Sequence, residues 1–206
     1  MTTSTDFTYE TTTTNPGYNR PQKMGRKLWA PMLAMALMAW PVGLVLSWIR
    51  AAEMSAAAPD VELIARLGQL VPAFMFIGFL GVFSAISFAI ARILGAFRNG
   101  GGQVQEAAGT KVETLEMPNT ARLFMASMAM GMMAILVAVI LHFVVAANVA
   151  TWAAEDIASW SEVLEGVRRI GTALYLFGIA FGLGTIITVL RFQSARIRQL
   201  PGEATA

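Results

Sequence analysis

His142 is the only histidine in the chain, and the apolar stretch around it, 123–149, contains no acidic residue. An imidazole can ligate a metal, relay a proton or hydrogen-bond a neighbouring helix. An ionisable side chain inside an apolar stretch of this length is a candidate functional group by default. Helical spacing sets Ala134, Ala138, His142, Ala146 and Ala150 on one ridge, because residues four apart share a face. Methyl groups therefore flank the ring, and a flat macrocycle or a second helix could approach it closely.

The run Ala134-Ile135-Leu136-Val137-Ala138-Val139-Ile140-Leu141-His142, with Trp152 beyond it, resembles the spanning helix of purple-bacterial light-harvesting polypeptides. The resemblance covers one helix of four. It implies a bacteriochlorophyll at His142, with Ala138 making room for the macrocycle and the imidazole ligating its magnesium. Haem held by two histidines of this chain is excluded, since there is only one. The other reading of the same residue is structural: a hydrogen bond to a serine, a threonine or a backbone carbonyl on a neighbouring helix.

A second pattern is made of small residues. Gly178 and Gly182 with Gly184, Gly81 with Ala85 and Ala89, and Ser127 with Gly131 recur at four-residue spacing, apart from Gly184. In lipid, helices associate through close backbone contact, which such residues permit. Met125, Met128, Met130, Met132 and Met133 add adaptable packing surface. Ser84, Ser87, Thr185 and Thr188 could line a polar track. Other chemistries lack their residues. No Asp or Glu falls within an apolar stretch, Gly100–Gly102 lacks the Lys-Ser/Thr of a phosphate loop, and no serine triad can be assembled. With no cysteine there is neither a disulfide framework nor a thiolate site.

Positioning these residues falls to four apolar stretches, 28–49, 67–94, 123–149 and 170–190. A hydrocarbon core ~30 Å thick takes about twenty helical residues to cross, and each stretch has that length. The chain is 56% hydrophobic and 14% charged over 206 residues, enough for one bundle. The expectation is an all-α membrane protein, a four-transmembrane-helix bundle. A net charge of +2 gives no reason to expect nucleic acid as a partner.

Orientation follows from the cations. Eleven Lys and Arg flank the stretches on the side of the two termini and the middle segment, and only Arg50, Arg66, Arg168 and Arg169 on the other. The positive-inside rule puts both termini in the cytoplasm, in a bacterial inner membrane. Basic residues 23–27, an apolar run and Ala56-Ala57-Ala58 imitate a cleavable secretory signal, but the run is longer than an ordinary signal core.

Five segments follow: a flexible Thr-rich tail at 1–22, a first hairpin at 23–98, a cytoplasmic loop at 99–121, a second hairpin at 122–198 and a tail at 199–206. Asn99-Gly100-Gly101-Gly102 is expected to stop the second helix and act as a hinge. Asn119 or Thr120 should cap the third helix, Ser159 with Glu162 the fourth, and Pro31 and Pro72 should occupy first turns. Pro41, inside the first span, should kink it. Sliding 28–52 onto 123–147 matches nine of twenty-five positions, which suggests two tandem two-helix hairpins in parallel repetition.

The expected function is that of a non-catalytic accessory or assembly subunit, surrounded by membrane lipids and partnered by other membrane protein subunits. The alternatives are a chlorophyll- or haem-binding subunit using His142, and a small channel or transporter.

Overall fold

The computed structural model describes residues 11–12 and 17–199; the ends of the chain, including most of the Thr-rich tail and of segment 199–206, lie outside the described residues. Four long helices account for nearly all of it: α1, Arg20–Met54; α2, Val61–Ala107; α3, Asn119–Asn148; and α4, Ala154–Gln199. All four are long and apolar enough to cross a membrane, consistent with a multi-pass membrane protein. At 1.5 Å per residue, α2 with 47 residues is ~70 Å long and α4 with 46 is about the same. Two residues of β1, Thr11–Thr12, pair antiparallel with β2, Thr114–Leu115.

Local signals explain the helix starts. Asn19 and Gln22 form a reciprocal capping box, each side chain accepting the other's backbone N–H at 3.0 Å. Asp60 accepts from the Leu63 N–H at 2.9 Å and caps α2, while its own N–H donates to Glu53 at 2.8 Å, tying the end of α1 to the start of α2. All four starts differ in some respect from the sequence-based expectation. α3 begins after Pro118 with no side-chain cap, so neither Asn119 nor Thr120 serves. α4 begins at Ala154, with Glu155 and Asp156 facing the positive end of its dipole, which leaves Ser159 inside the helix rather than at its cap. Pro31 and Pro72 sit inside α1 and α2, not in first turns, and α1 is continuous through Pro31 and Pro41.

The expected stop at 99–102 is also overturned, for α2 continues to Ala107. Three glycines lower helix propensity by roughly 1 kcal/mol each against alanine. Tertiary contact offsets that here. The Gln193 amide and Arg196 guanidinium of α4 press onto Gly101, where a β-carbon would collide with them, and Gly102 is buried.

Pairwise contacts fix the topology. Gly25 meets Phe88, Gly81 meets Ala36 and Gly43 meets Met75, so α1 and α2 run antiparallel. Gly131 meets Tyr175, Gly178 meets Met128 and Gly182 meets Phe124, so α3 and α4 do too. Ser84 bonds Tyr175 and Phe97 bonds Gln193, which sets α2 and α4 parallel. The start of α1 and the end of α4 thus share one end of the bundle, the terminal end; the two short connections 55–60 and 149–153 share the other, the loop end. α2 is central, packing on all three others, whereas α1 packs extensively on α2 alone.

The two hairpins do not share one packing register. Ala36 packs on Gly81, but its sequence counterpart Gly131 packs on Gly171 and Tyr175, about nine residues earlier in α4 than the counterpart of Gly81, Gly184. The main core lies between α2, α3 and α4, built from Ile90, Phe124, Met128, Ile135, Val139 and Tyr175. Tyr175 stacks on Phe83 with ring centres 4.9 Å apart.

Candidate functional site

His142 lies in the loop-end half of α3, 2% exposed, with Ala138 fully buried one turn before it and Ala146 buried one turn after. Its Nδ1 is 2.8 Å from Gln69 Oε1 on α2. A carbonyl oxygen only accepts, so Nδ1 carries the proton and donates, and in the neutral ring Nε2 is then a bare lone pair. The amide of Gln69 donates onward to Ser161 Oγ at 2.8 Å, and that hydroxyl donates to the Ile157 carbonyl at 2.8 Å. One relay of polar groups therefore joins α2, α3 and α4. The sequence reading expected a serine, a threonine or a carbonyl as the partner of His142; the partner is a glutamine.

Cations gather around the relay. Arg168 of α4 is over the Phe76 ring, 4.7 Å from its centre, and bonds Glu165. Arg169 donates to the same carboxylate at 2.8 Å. The two guanidiniums, Arg169 foremost through its hydrogen bond, hold the Glu165 carboxyl below the usual carboxylate range. On α1, the Arg50 guanidinium lies 3.6 Å from where a β-carbon on Gly68 would stand, next to Gln69 in the chain. Three nitrogens of this region are buried without a hydrogen-bond partner: His142 Nε2, Arg168 Nε and Arg50 Nε.

As donor geometry, His142 suits a ligand. Nδ1–H is held by a carbonyl and Nε2 is free, the arrangement that orients ligating histidines. As space, the surroundings are closed. Ala138, Val145 and Leu164 form one buried apolar cluster at this level, with Leu141, Trp152, Ile157 and Val167 packed against it. A macrocycle would have to displace helix contacts to enter. Among the described residues, no three His, Cys, Asp or Glu side chains gather where they could hold a metal ion.

The small residues selected from the sequence pack against neighbouring helices. Gly178 receives Met128, Gly182 receives Ile90 and Phe124, and Gly131 lies against the Gly171 carbonyl. A β-carbon on Gly81 would sit 2.7 Å from the Met32 carbonyl oxygen; Ala85 and Ser127 are buried. The hydroxyls picked out as a polar track are engaged. Ser84 pairs with the Tyr175 hydroxyl at 3.3 Å, and Ser87 donates to the Phe83 carbonyl at 2.6 Å, with Met128 Sδ 3.0 Å from the same oxygen. Thr185 donates to the Phe181 carbonyl and accepts from the Thr120 hydroxyl, and Thr188 donates to the Gly184 carbonyl.

Sequence reasoning missed a second polar cluster at the terminal end. Arg196 of α4 is 5% exposed and donates to the Gly101 carbonyl at 3.1 Å and to Gln105 Oε1. Gln105 Oε1 also accepts the Glu113 N–H at 2.8 Å, and Gln193 donates to the Phe97 carbonyl at 2.9 Å. Beside this cluster is a cavity of about 280 Å³. In sequence, Arg196 is one of many basic residues near an end, and nothing local marks it as buried.

No protein-family model matches the chain. No curated protein matches it either, nor does any solved structure.

Proposed function

We propose that this chain is a non-catalytic subunit of a larger complex in a bacterial inner membrane, crossing it four times with both termini in the cytoplasm. The observation that carries this reading is where the intramembrane polar groups point. His142, Gln69, Ser161, Ser84, Tyr175, Thr120 and Thr185 bond one another across helices, so they act as internal fasteners. Apolar surface is left outward instead: Met38 is 68% exposed and Trp48 72%, on the helix with a single extensive neighbour. Such surface suits lipid and partner subunits alike, and the methionines of α3 (Met130, Met132, Met133) give it an adaptable face. Orientation rests on the excess of Lys and Arg at the terminal end.

The test is purification from native membranes in mild detergent, with cross-linking and mass spectrometry. Stoichiometric membrane partners are expected; a homogeneous preparation of this chain alone, after cross-linking in intact membranes, overturns the reading. A tandem duplication is our reading of the nine sequence identities, against which stands the unequal packing register of the two hairpins.

A second reading has one observation in its favour, the unpartnered Nε2 of His142. An axial bond to chlorophyll or haem would engage it, although the packed cluster around Ala138 opposes entry of a macrocycle. A visible or near-infrared absorption band in the purified protein, lost in His142→Ala, would favour this reading, and a colourless protein defeats it.

A further inference from the structure

We infer that the cavity at the terminal end is a binding site for the headgroup of an anionic phospholipid. It holds about 280 Å³, far more than a single ion needs and room for about nine water-sized volumes. Its walls come from the ends of α2, α3 and α4, the first turn of α1, and β2. One side is apolar, with Leu94, Phe124, Val189 and Phe192; the other carries two guanidiniums, Arg98 and Arg196. That division follows depth. Phe124 and Val189 belong to the apolar stretches, whereas Arg98 and Arg196 stand beyond them, at the level where acyl chains give way to headgroups.

The charge of Arg196 supplies the second argument. A guanidinium 95% withdrawn from solvent calls for a counter-ion, because burying an unpaired charge is expensive. Neutral oxygens of Gly101, Gln105 and Gln193 take its donors, and among the described residues no carboxylate reaches it within ion-pair distance. Its Nε is buried with no hydrogen-bond partner. Glu113 acts on it only through the field. A phosphodiester supplies the missing anion and presents oxygens that match a guanidinium fork. An attached glycerol and acyl start would lie on the apolar wall. The inference rests on the membrane-spanning reading and is independent of any subunit partner.

Native mass spectrometry of the full chain in detergent tests it, with dioctanoyl phosphatidylglycerol, dioctanoyl phosphatidylcholine and inorganic phosphate as probes. The anionic lipid should bind in preference to the zwitterionic one, and inorganic phosphate should not compete at equal concentration. Arg196→Gln should weaken the anionic lipid by about fivefold, the worth of one basic residue at a membrane surface. Ala121→Leu, which narrows the cavity while keeping both arginines, should weaken it too, and Lys23→Gln on the exposed first turn should not. Equal binding of the two lipids, full competition by phosphate, or unchanged binding in both Arg196→Gln and Ala121→Leu overturns the inference.

Discussion

Gln69→Leu removes the middle of the relay that joins three helices and keeps the volume roughly constant. Two side-chain hydrogen bonds vanish, His142 Nδ1–H to Gln69 Oε1 and Gln69 Nε2–H to Ser161 Oγ. Bonds of this kind inside membrane bundles average ~0.6 kcal/mol and reach ~1.7. Ser161 keeps its bond to the Ile157 carbonyl, so only His142 is left with a stranded donor, which costs a further ~1 kcal/mol or more. The expected loss is therefore about 2–3 kcal/mol. His142→Leu breaks one bond and strands the Gln69 oxygen, but also removes the buried Nε2, so it should cost about 1 kcal/mol. In the double variant no group remains stranded and the shared bond is lost only once, so its loss should fall short of the sum by about 2 kcal/mol. Equilibrium unfolding in mixed micelles, followed by far-ultraviolet circular dichroism, measures all three. Additivity within ~0.3 kcal/mol would refute the relay, because independent sites behave that way.

Other expectations follow from the glycines, one tryptophan and the topology. Gly100→Ala and Gly166→Ala, where a β-carbon meets nothing within 4 Å, should each raise stability by roughly 0.5–1 kcal/mol in the same unfolding assay. Gly25→Ala puts a β-carbon 2.6 Å from the Phe88 carbonyl oxygen, a backbone atom that cannot yield cheaply, and should lower it by about 1–3 kcal/mol. Trp40, set edge-on to Phe79 and lodged over Gly78, has a buried indole N–H without a partner. Trp40→Phe should therefore remove the bluest part of the fluorescence emission; an unchanged spectrum contradicts that burial. Compartment-sensitive reporters fused at Thr5 and at Ala204 should both respond as cytoplasmic, and opposite responses would break the four-span topology.

What could be read from the sequence divides along physical lines. Apolar length reports itself: each helix contains one of the four stretches, because crossing lipid and reading as hydrophobic are the same property. Helix ends do not report themselves where polar residues extend α2 and α4 past those stretches. Gly100–Gly102 looks like a break because propensity is local, and it is helical because Arg196, about 95 residues away, packs on it. His142 stood out as the only histidine; its partner did not. Gln69 is the only Asn or Gln in stretch 67–94, and an amide among apolar residues is the signal that could have found it. Nothing comparable marks Ser161 or Arg196, whose burial comes from which helix they face.

The unbroken length of α2 has a mechanical consequence. The 37 residues from Gln69 to Gln105 form one continuous helix spanning ~54 Å, fastened near one tip to His142 and near the other to Arg196. A continuous helix links the two fastened ends directly. Displacing either clamp therefore bears on the same helix as the other, and α2 connects the two surfaces that the bundle presents.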